Sequence, residues 1–177
     1  NGQKEQAGKY GKNEKPEGRW LWFHENGNIW REEFFQNGLE EGPITEYDDT
    51  GRVFTKGEYV DGEREGAWVF DNGDSYETGV YKSGKKDGEW KTYYIVNGRY
   101  DNNSQVSFVG KFVDGFPDGK HIFYYPNGKK RLEGKYITGV QDGEWQRYNE
   151  DGLPTLTILF ENGIEKKLNG VKIKPEN

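Results

Sequence analysis

His24 and His121 are the only imidazoles in the chain, and it has no cysteine, so thiolate nucleophiles, disulfides and cysteine zinc sites are excluded together. Neither histidine stands in a His-x-His or HExxH pattern, the spacings that would bring a second ligand to a metal. Ser75, Ser83, Ser104 and Ser107 lie in no strand-to-helix elbow of the kind that presents a hydrolase nucleophile. Asp-Gly steps recur. However, no segment offers oxygen ligands at alternate positions closed by a Glu at the twelfth, nor a Gly-Gly-x-Gly-x-Asp array, so these aspartates read as turn formers. The 31 acidic residues guarantee some close carboxylate pairs, which leaves a glycosidase-like pair open at this level. No glycine-rich phosphate loop follows a predicted strand. The chain is therefore expected to be no enzyme, with no metal and no cofactor.

The chain does supply rings: 6 Trp, 12 Tyr and 10 Phe in 177 residues, beside 26 Gly. Leu, Ile, Val and Phe together reach only about 20%, the level at which chains stop folding, and glycine is about twice its usual share. Disordered chains are poor in aromatics, so this composition predicts a thin fold that buries rings between glycines. A net charge of -6 and a pI near 5.1 give no support to a general grip on nucleic acid. Mean hydropathy is -1.13, and no stretch approaches the roughly 20 apolar residues that span a bilayer as a helix.

Internal periodicity organises the rings. Glycines that follow an acid recur at Gly18, Gly42, Gly66, Gly88, Gly119 and Gly143, with gaps of 24, 24, 22, 31 and 24 residues. Two positions beyond each stands Trp20, Ile44, Trp68, Trp90, His121 or Trp145. A further ring follows, then a turn glycine, giving Gly-x-Trp-x-x-Tyr-x-x-x-Gly. A second half-repeat superimposes without gaps in Gly57-Glu-Tyr59, Gly79-Val-Tyr81, Gly110-Lys-Phe112 and Gly134-Lys-Tyr136, with Gly8-Lys-Tyr10 as a leading fragment. Each half is aromatic and β-branched and is bounded by Gly, Asn and Asp, which reads as a strand. The dipeptides Asn26-Gly27, Asn72-Gly73, Asn97-Gly98, Asn127-Gly128 and Asp151-Gly152 are expected to be hairpin turns. Asp61-Gly62 and the acid-glycine pairs are expected to close the return to the next unit. The expected fold is all-β: an elongated repeat array of stacked antiparallel β-hairpins in a single meandering sheet, about six repeats of roughly 24 residues. A bare glycine in the second strand lets a neighbouring ring lie flat over backbone.

Gly88-Glu-Trp90-Lys-Thr-Tyr93-Tyr94 and the run from Tyr125-Pro-Asn-Gly128 through Gly134-Lys-Tyr136 to Gly143-Glu-Trp145 closely resemble the MORN repeat. They are most similar to its bacterial variant form, whose members often carry an antitoxin label. The resemblance covers about residues 8–163 and departs at Ile44, His121, Glu33 and Ile158 and in a longer fourth repeat. It implies an interaction scaffold; eukaryotic members are also implicated in lipid head-group contact. With it the chain divides into a loose N-terminus (1–7), the array (8–163) and a C-terminal cap or tail (164–177).

Two features suggest where a partner sits. Counting along the second strands places Trp30, Phe54 and Tyr76 at equivalent positions, on the face opposite Gly57 and Tyr59. They form either a docking surface, aromatic as interface cores are, or a second apolar face of the sheet. The insertion at residues 99–109 adds Tyr100, Asn102 and Asn103, as a binding loop or a tolerated bulge. The leading expectation is a protein-protein interaction platform, a subunit or accessory of a larger assembly. The alternatives are a membrane-surface or lipid head-group binder, helped by small basic clusters such as Lys129-Lys130-Arg131, and a carbohydrate-binding or antitoxin-like partner surface. The chain opens at Asn1 and contains no Met, as a chain with its N-terminal piece removed would. Signal-peptide cleavage predicts an extracytoplasmic location (secreted, periplasmic or outer-membrane associated), and truncation leaves it cytoplasmic.

Overall fold

The computed structural model describes residues 5–95, 97–98, 100–101 and 103–173, and among these there is no helix. The chain forms two compact units. The first runs to Asn72 and takes in Thr78–Lys85; the second takes Gly73–Glu77 and the described residues from Lys86 on. The first contains β1 (Gln6–Tyr10), β2 (Pro16–Phe23), β3 (Ile29–Gln36), the short β4 (Leu39–Glu40), β5 (Gly42–Tyr47), β6 (Val53–Val60) and β7 (Glu63–Asp71). Strand β8 (Ser75–Lys82) gives its later residues to the first unit and its earlier ones to the second. The second unit continues with β9 (Lys85–Tyr94), β10 (Val106–Val113), β11 (Phe116–Tyr124), β12 (Lys130–Ile137), β13 (Val140–Tyr148), β14 (Pro154–Glu161), β15 (Ile164–Leu168) and β16 (Val171–Lys172). Within each unit the strands pair antiparallel in sequence order except at β4, which pairs only with β3, so that β5 pairs with β3 and β6. The tail thus closes in a small hairpin, with Leu168 opposite Val171.

Ring-on-glycine contact holds this arrangement. The six residues of the Trp site, Trp20, Ile44, Trp68, Trp90, His121 and Trp145, are all buried, and Trp90 is fully so. A Cβ on Gly57 would stand 2.1 Å from Trp68 Cδ2, and one on Gly134 2.1 Å from Trp145 Cδ2. Real Cβ contacts never come so close, so the indole lies directly on bare backbone. The same indole packs edge-on against the tyrosine of the strand before it: Tyr10–Trp20 at 5.0 Å and 80°, Tyr59–Trp68 at 5.2 Å and 85°, Tyr136–Trp145 at 5.0 Å and 84°. It meets the next strand's ring in turn, Trp68 with Tyr81 and Trp145 with Phe160. Each buried aromatic removes on the order of 200 Å² from water. The cores can therefore be thin because so few side chains carry them.

The turns differ in part from the sequence reading. Asn37-Gly38, Asp61-Gly62, Ser83-Gly84, Asp114-Gly115, Thr138-Gly139 and Asn162-Gly163 have positive φ at both residues and are the two-residue turns whose twist matches that of the strands they join. At Asn26-Gly27 only the glycine has positive φ. This connection is a longer loop, in which the His24 amide donates to the Asn28 carbonyl at 2.7 Å and the Gly27 amide to the His24 carbonyl at 2.9 Å. Gly66, Gly88, Gly119 and Gly143 do not close the return either. They lie inside β7, β9, β11 and β13 with φ near 70°. For Gly66 nothing lies within 4 Å of a would-be Cβ, so its requirement is backbone conformation, unlike the space requirement of Gly57. The acid before it has its own task. Glu65 accepts from the Ser83 amide at 2.8 Å, as Glu17 does from Asn37, Glu41 from Asp61 and Asp118 from Thr138. On the other edge, Asn26 and Asn28 donate to the Asp49 carbonyl, and Asn127 donates to the Glu150 carbonyl. Neighbouring hairpins are thus laced together along both edges.

Candidate partner-binding surface

Trp30 and Phe54 lie at the same irregularity of the ladder. Trp22 pairs with Arg31 and Phe23 with Ile29, so Trp30 is the extra residue of a bulge. Glu46 pairs with Thr55 and Tyr47 with Val53, so Phe54 is too. The bulge recurs at Ser107, Arg131 and Thr155. A bulge interrupts the alternation of side chains, so counting residues back from Gly57 does not assign a face to Phe54. Arg131, at the equivalent position, stands 5.8 Å over the ring of Phe123, two residues beyond the buried His121 on its strand. Trp30 and Phe54 are half-buried, as ring sites on an open surface are.

In the second unit two of the expected site residues come together. Tyr100 of the insertion stacks on Tyr76 with centroids 3.9 Å apart and planes 11° apart, and meets Tyr93 edge-on at 5.1 Å. Tyr76 and Tyr93 are 6.2 Å apart. Beyond Tyr100 the loop is fastened by Asp101, whose carboxylate accepts from the Asn103 amide at 2.7 Å while its amide donates to Ser104 Oγ at 3.0 Å. Asn103 is exposed, and Asn102 lies outside the described residues. Sequence reasoning did not include Tyr93, which it read only as the ring of its own repeat. Its pairing with the insertion depends on where the longer loop folds back, and repeat spacing carries no signal for that.

Charged groups are mostly matched in place. Burial opposes ionisation of Glu133, but hydrogen bonds from Lys120, Tyr148 and Lys130 outweigh it and hold the carboxyl down at about 2. Burial raises the Glu33 carboxyl against the opposing Arg31. His121 is pushed below the ordinary imidazole value by burial, only partly offset by its bond to the Lys111 carbonyl. That bond, 2.8 Å from Nε2, repeats what the indole N–H groups of Trp20 and Trp145 do toward Lys9 and Lys135. Among the described residues no group of three or more His, Asp or Glu side chains is placed to hold a metal ion. The arrangement can offer rings, backbone edges and isolated charges to a partner.

A sheet of sequence-adjacent hairpins whose rings rest on glycines defines a β-hairpin repeat protein. Residues 16–37 and 117–137 match the sequence model of the MORN repeat variant, and each match is one hairpin, β2–β3 and β11–β12. Those two hairpins are thus similar to MORN repeats, which are binding repeats rather than enzymatic ones. No curated protein matches it.

Proposed function

We propose that this protein is a non-enzymatic platform for protein-protein interaction, serving as a subunit or accessory of a larger assembly. MORN repeats bind proteins or membrane lipids. The observation that carries the protein reading is the tyrosine cluster of the second unit: an insertion that departs from the repeat stacks its Tyr100 on Tyr76. This fixes a half-buried aromatic surface beside an exposed polar loop, the mix of ring anchors and polar rim found in interfaces. In the first unit Trp30 and Phe54 supply comparable ring anchors. Partner retention by the immobilised chain tests this. Tyr76→Ala with Tyr100→Ala abolishes capture of a partner that the wild type retains, at unchanged circular dichroism. Undiminished capture overturns the placement.

Membrane-surface contact is the second reading. It is favoured by exposed apolar residues beside the two-residue turns of the second unit: Val113, Phe116, Ile137 and Val140. Co-sedimentation with anionic vesicles separates the two readings. Binding that persists in the tyrosine double variant and at moderate salt supports membrane contact through these apolar residues, since screening weakens charge pairing and not apolar burial.

A further inference from the structure

His121 is the one polar residue at the Trp site, and its geometry shows what the exchange does. Its Nε2 donates to the Lys111 carbonyl at 2.8 Å, so the site keeps the hydrogen bond of the indole it replaces and loses that indole's six-membered ring. Phe108 leans in from the neighbouring strand: a Cβ on Gly110 would lie 2.4 Å from Phe108 Cζ and 2.6 Å from His121 Nδ1. Beside these rings lies a wide-open groove of about 600 Å³, lined by Phe108, Phe112, His121, Phe123, Tyr136 and Arg131. Small-molecule pockets have this size and are mostly apolar with a few placed polar groups. Arg131 is exposed, lies over Phe123 and forms no ion pair among the described residues. Asp118, the acid that bears on His121, is engaged by the Thr138 amide at 3.1 Å. An unmatched cation above a floor of rings complements a compact apolar group carrying one anion.

We propose that the groove over His121 is a binding site for a small apolar carboxylate, its ring or chain lying on Phe108, Phe112 and Phe123 and its carboxylate paired with Arg131. The site does not depend on the protein-binding reading, since it shares no residue with the Tyr76 cluster.

The probes are 3-phenylpropionate and the neutral 3-phenylpropanol, titrated into the full chain and followed by two-dimensional NMR. The carboxylate is expected to give saturable shifts confined to residues 92–136. The alcohol, and the carboxylate with Arg131→Gln, should bind about tenfold more weakly, as loss of a charge-assisted hydrogen bond implies. His121→Trp restores the ring that the array uses elsewhere and should abolish binding with the remaining spectrum intact. Ser107→Phe fills the groove from the bulge without touching the ladder, and should do the same if His121→Trp fails to fold. Equal affinity for the two probes, non-saturating or dispersed shifts, or binding that survives in a folded groove-filled variant would overturn the assignment.

Discussion

Two kinds of glycine divide the work at the residue scale. Gly57 and Gly134 exist for space, since an indole occupies the position of their missing Cβ; Gly66 and Gly143 exist for a positive φ. Gly143→Ala is thus expected to cost about 1–2 kcal/mol, and Gly143→Asn less, as measured by urea unfolding. His121 makes the folded state sensitive to pH. Burial pushes its imidazole below the ordinary value, so the unfolded chain binds a proton there more readily than the folded one. Stability is then full above a pH of about 6.5, where the unfolded imidazole titrates, and falls as pH drops below it. The Glu133 carboxyl, held at about 2, adds stability that is complete above the ordinary carboxylate range and lost only as pH falls toward 2, well outside that window. Urea midpoints compared at pH 7.5 and 5.5 should drop for the wild type and drop less for His121→Trp. Equal drops would show that another group titrates.

At the element scale, each hairpin is held to the next by two-residue turns capped from outside. Glu65→Ala removes the acceptor of the Ser83 amide and is expected to cost about 1 kcal/mol, read from the thermal midpoint. Glu89→Ala, which loses only the exposed pair with Lys91, should leave it nearly unchanged. The same scale shows what could be read in advance. Trp20, Trp68, Trp90 and Trp145 and the glycines beneath three of them were legible, because the ring site and the bare-backbone site on the strand before it each recur at regular spacing along the chain. The bulges at Trp30 and Phe54 were not, because a bulge exists only in the register between two strands, and one strand's spacing does not encode it. The choice of turn was misread for a related reason. Asn26-Gly27 and Asp61-Gly62 are equally good dipeptides locally, and the ladder on either side decides which one closes in two residues. Tyr100 belongs to a loop outside the repeat, so its stacking on Tyr76 had no periodic signature.

For the whole molecule, the consequence is that stability resides in a few ring positions within each unit rather than in a broad core. Trp68, packed by Tyr59, Phe70, Tyr81 and Arg64, is expected to cost about 3–5 kcal/mol when cut to alanine, whereas the exposed Val171 should cost almost nothing. Binding surfaces can then vary at bulges, insertions and edges while rings and glycines keep the scaffold. The central claim is that ring and bare backbone act as one unit, and a double-mutant cycle on Gly57 and Trp68, followed by equilibrium urea unfolding, tests it most directly. Gly57→Ala should destabilise the wild type by at least about 2 kcal/mol, as overpacking does. In the Trp68→Ala background, where the ring no longer fills the site, it should cost only a few tenths. Costs that simply add would contradict the claim.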